Sequence, residues 1–105
     1  MLRIVNNKVY LVRGDSGAIT VTVLNPDGSV RAIQPDDEIL MTVRAAPTSE
    51  ILFQKTGPEI LIEPEDTASL AFGTYCYDVQ ITLADGTVDM IIPKNEFLIL
   101  EEVTY

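Results

Sequence analysis

The sequence predicts an all-β domain, an antiparallel β-sandwich of about 7–9 strands with one short helical turn near residues 65–70. Three observations carry that prediction. Strand-like segments with period-2 alternation are separated by turn residues at roughly 8–12-residue spacing. No window of about eleven or more residues carries a 3.6-residue period. The stretch from Pro64 to Ile81 reads as one helical turn, a glycine and a long alternating strand. That is how a chain crosses the end of a two-layer β-domain.

The elements follow in order. Lys8 to Val12 is a short strand, closed by Arg13-Gly14-Asp15-Ser16-Gly17. Ala18 to Leu24 alternates, with Ile19, Val21 and Val23 on one side and Thr20 and Thr22 on the other. In Asn25-Pro26-Asp27-Gly28 the proline presets φ and the glycine accepts a positive φ, so the chain turns. Glu38 to Arg44 alternates again, and Ile51 to Lys55 and Glu59 to Glu63 are shorter strands around Thr56-Gly57-Pro58. The helical turn spans Glu65 to Leu70. Thr74 to Leu83 is the longest strand, with Tyr75, Tyr77, Val79, Ile81 and Leu83 on one face. Asp85-Gly86 predicts a primed two-residue hairpin turn into Thr87 to Ile92, and Glu96 to Leu100 closes the chain. All six prolines are read as lying between these strands or at their ends, where no ladder N–H is lost. Leu24-Asn25-Pro26-Asp27-Gly28-Ser29-Val30 echoes Leu83-Ala84-Asp85-Gly86-Thr87-Val88, which reads as one turn chemistry used twice.

Composition narrows the function classes. The 105 residues form one domain, 1–105, and 47% of them are apolar, enough for a core. No apolar run reaches the roughly 18 residues of a membrane span, and the N-terminus turns polar too early for a secretory signal. The chain is therefore expected to be soluble and synthesised in the bacterial host cytoplasm without a signal peptide, with no membrane partner. Sixteen acidic against seven basic residues give a net charge of −9. The basic residues lie singly, which argues against nucleic acid and for solubility or a basic partner. There is no histidine and a single cysteine, Cys76. That removes His-based acid–base catalysis, Cys/His zinc sites and internal disulfides.

The remaining reactive groups read as structural. Asp36-Asp37-Glu38 would bind Ca²⁺ only if loops bring Asp15 or Asp27 to it, and no Asp-x-Asp-x-Asp-Gly spacing occurs. Turn-forming aspartates at a strand start account for the run. A glycosidase-type carboxylate pair would lack the aromatic platforms of a sugar cleft, since tryptophan is absent. Cys76, with no cation or histidine beside it in sequence, reads as a passive thiol. Arg13-Gly14-Asp15 matches an integrin-binding string but is explained by a Gly-Asp loop. The expectation is no enzyme, no metal and no cofactor.

Two stretches stand apart. Met90-Ile91-Ile92 and Phe97-Leu98-Ile99-Leu100 are apolar without alternation, so both faces of those segments are apolar. Met90, Ile92, Phe97, Leu98, Ile99 and Leu100 are therefore candidate subunit-interface residues, and a homo-oligomer is expected. Tyr75, just after the helical turn and Gly73, fits a tyrosine corner, whose hydroxyl bonds back to upstream backbone.

These residues together resemble the immunoglobulin-like N-terminal domain of tailed-phage baseplate upper proteins, and related short prophage β-sandwich proteins of Firmicutes. The resemblance runs from Gly14-Asp15 and the strand Ala18 to Leu24, through Asp27-Gly28, to the Pro35-Asp36-Asp37-Glu38 lead into Ile39-Leu40-Met41-Thr42-Val43-Arg44. It is closest over Ile62-Glu63-Pro64-Glu65-Asp66-Thr67, Leu70 and Gly73 to Ile81. Asp85-Gly86, Pro93, Phe97 and Glu101-Glu102-Val103 complete it. The resemblance implies an immunoglobulin-like sandwich in a virion structural protein of the tail or baseplate, joined to other tail proteins or to itself. It implies no catalytic residues. The chain lacks the coiled coil and receptor-binding module that follow in baseplate upper proteins, which favours a small stand-alone component. The alternative is a carbohydrate-binding or adhesin-type β-sandwich of bacterial origin, acting through its loops.

Overall fold

A computed structural model describes residues 2–101. Eight strands and one helical turn follow in the order β1 Leu2–Val5, β2 Lys8–Val12, β3 Gly17–Thr20, β4 Glu38–Arg44, β5 Ile51–Gly57, β6 Glu59–Ile62, α1 Pro64–Thr67, β7 Gly73–Thr82 and β8 Val88–Leu100. Six strands form one mixed sheet, β1-β2-β8-β7-β4-β5, and β3 pairs with β6 in a second. Alternation decides which side chains turn inward. Val9 and Leu11, Ile39, Met41 and Val43, Tyr77, Val79 and Ile81, and Phe97 and Ile99 line the inner face of the large sheet. Ile19, Ile60 and Ile62 of the small sheet join the same cluster, with Val21 and Val23 beyond it. At its centre Phe97 meets Phe53 and Tyr77 edge-on, both at 6.1 Å between ring centroids.

Four features differ from the sequence reading. The large sheet is not wholly antiparallel: β2 runs parallel to β8, Val9 opposite Phe97 through Val12 opposite Leu100. Alternation sets side-chain facing but not strand direction, and nearly the whole chain serves as the long connection that parallel strands require. The two predicted closing strands are one, β8. Between the pairs Tyr77–Asn95 and Val79–Ile92, and again between Val79–Ile92 and Gln80–Met90, β8 carries one residue more than β7. Pro93 thus lies inside a strand, at a bulge, where its missing N–H is tolerated. β3 stops at Thr20, although Val21 and Val23 stay buried. Beyond it the chain is held by single bonds, Val21 N to Pro58 O and Arg31 N to Val23 O. Finally, β1 precedes the first predicted strand. It is paired with β2 through Asn6 and Asn7, whose φ values of 50° and 65° give a primed two-residue turn.

The Asp85-Gly86 turn also differs from expectation, whereas Asn25-Pro26-Asp27-Gly28 turns with Gly28 at a positive φ as expected. At Leu83–Thr87 only Gly86 has a positive φ, 89°, while Gly86 N donates to Leu83 O and Leu83 N to Thr87 O. That is a turn with a glycine bulge rather than a primed turn. Asn25–Ser29 repeats it bond for bond, with Gly28 at φ 89°. The sequence echo is one turn used twice.

The crossing between the sheets is α1, shorter than predicted at Pro64–Thr67. Pro64 opens it at the first helical position, where its missing N–H costs nothing. Asp66 accepts from Glu63 N at 2.8 Å and pairs with Lys55 at 2.8 Å. Thr67, fully buried, accepts from Gly14 N at 2.9 Å. Tyr75 donates to Ala71 O at 2.7 Å, the backbone closure that a tyrosine corner makes. A Tyr75→Phe variant should lose about 0.5–1.5 kcal/mol, read as a lower urea midpoint with an unchanged slope.

Candidate functional site

The turn aspartates and the Arg-Gly-Asp string are absorbed by local structure. Asp37, whose side chain is 2% exposed, receives Arg31 at 2.8 Å and Gln34 N at 2.8 Å. It locks the loop ahead of β4. Asp27 accepts from Ser29 N and its hydroxyl, and Asp85 from Thr87 N, in the two glycine-bulge turns. No group of three or more His, Cys, Asp or Glu side chains suited to a metal occurs among the described residues. Arg13 stacks over Phe72 at 4.2 Å and reaches Leu70 O, and Gly14 is tied to Thr67. The Arg-Gly-Asp string therefore belongs to the crossing rather than to a free loop. Cys76 is half-buried, with Sγ 3.5 Å from Arg44 O. No helix among the described residues is long and apolar enough to cross a membrane.

These aspartates set an acid limit on stability. Amide and hydroxyl donors hold Asp27 and Asp85, and the guanidinium of Arg31 holds Asp37, below the ordinary 3.8. A lowered folded value means that their stabilising contribution is complete above the unfolded value and is lost as pH falls through the folded one. Glu63, at the start of α1, is shifted upward by its hydrogen bond with Glu65, which is itself lowered, and Glu63 works in the opposite sense. The melting temperature should therefore fall as pH drops below about 4. Asp37→Asn, which removes one lowered group, should flatten that fall.

The six apolar candidates divide three ways. Phe97 and Ile99 are 0% and 1% exposed; they are core residues and present nothing to a partner. Leu98 and Leu100 are half-buried on the opposite face, in register beside Tyr10 and Val12 of β2. β2 supplies cover that a lone strand would lack. Met90 and Ile92 lie on the other half of β8, Met90 being 51% exposed. The register of β2 begins at Phe97, so from Val88 to Lys94 no strand among the described residues pairs with the outer edge of β8. The Asn6–Asn7 turn marks the limit of cover: Asn6 O accepts from Asn95 and Asn7 O from the Tyr77 hydroxyl. Burial pushes that hydroxyl up to about 12.

Beside this edge runs an open groove of about 740 Å³. Val21, Val23 and Ile81 are the buried residues beneath it, and Ile91 and Ile92 line it from the large sheet; Met90 also adjoins it, but its pairing opposite Gln80 turns its side chain to the outer face. Residues 24–26 and Leu83 also line it, so both glycine-bulge turns begin at the groove. Leu24 (59% exposed), Val30 (70%) and Val88 (56%) adjoin those turns, and sequence reasoning did not single them out. The signal was present in the echo, which places an apolar residue at each end of both turns. The groove exists because β3 stops early while β8, bulged at Ile91 and Pro93-Lys94, bends away from a flat sheet. No protein-family model matches this chain, and no curated protein matches it.

Proposed function

We propose that this chain is a non-enzymatic virion structural protein of a tailed phage or prophage, a tail or baseplate component that works through protein–protein assembly, with itself or with other tail proteins. The observation that carries this reading is the exposure of Leu24, Val88 and Met90, apolar surface of the kind that marks protein contacts. The sequence resemblance supplies the setting. Within this reading the fold is an immunoglobulin-like sandwich. β4, β7 and β8 take the places of strands C, F and G, β5 that of C′, and β3 and β6 those of B and E. The Tyr75 hydroxyl bond at the start of β7 supports that assignment.

The test is to induce phage from the strain carrying the gene, purify particles on a density gradient and search them for peptides of this chain. The reading expects a fixed stoichiometry with tail proteins. Particles that form without the chain would overturn it. A glycan-array signal in their place would favour the carbohydrate-binding alternative.

A further inference from the structure

We draw no further inference here: the strongest candidate, the outer edge of β5 at the end of the large sheet, where Ile51 and Leu52 are exposed, carries nothing because nothing among the described residues shows what covers it.

Discussion

Replacing Phe97 with alanine should cost about 3–5 kcal/mol of folding stability. The ring is fully buried, stands edge-on to both Phe53 and Tyr77, and lies on β8 between β2 and β7. Removing it leaves a cavity lined by three strands that are hydrogen-bonded to one another and cannot close on it. Small domains hold only about 5–15 kcal/mol in total, so the variant should unfold at a much lower urea concentration. An interface residue would behave differently, with stability nearly unchanged and association lost. Met90→Ala is the matched control. At 51% exposure it should stay within about 0.5 kcal/mol of the parent.

Gly17→Ala should be the next most costly change, about 1–3 kcal/mol. A Cβ at this position would lie 2.6 Å from Leu2 Cδ1 and 2.9 Å from Leu2 Cβ. Turning the leucine tip aside relieves the first contact but not the second, which moves only with the β1 backbone. Among the described strands β1 pairs only with β2, so the strain should appear there. Amide exchange should accelerate across Leu2–Val5 and the paired residues of β2, while β4 and β7 stay protected. Uniform protection at parental stability would show that β1 does not abut β3 as described.

Residues with strong period-2 burial were legible in the sequence. Tyr77, Val79 and Ile81 face the core as their alternation indicates, and so do Ile39, Met41 and Val43. What alternation does not encode is which strand lies beside which. The parallel placement of β2 on β8 depends on contacts some ninety residues apart, and it explains why Leu98 and Leu100 can be apolar opposite core residues. β1 escaped notice because three of its four residues are exposed, leaving only Asn6-Asn7 as a signal. Pro93 misled for a physical reason: proline marks a strand end only where no bulge accommodates it. The groove was half legible. Met90 and Ile92 were visible as apolar residues without alternation, whereas Leu24 and Val88 looked like ordinary strand ends. Their exposure follows from the early end of β3 and the bulges of β8, which are tertiary features.

A buried core folds the chain, and the exposed apolar face of β8 at Val88 and Met90 is the surface proposed to join it to a partner. The most direct measurement quantifies this chain by mass spectrometry in purified particles from two phage stocks, one encoding the parent sequence and one Met90→Lys, after matched melting curves establish that both proteins fold. The account predicts the parent at a fixed ratio to tail proteins and the variant depleted from particles. Equal incorporation of both would remove the exposed face around Met90 from assembly, and absence of the parent chain from particles would contradict the structural role itself.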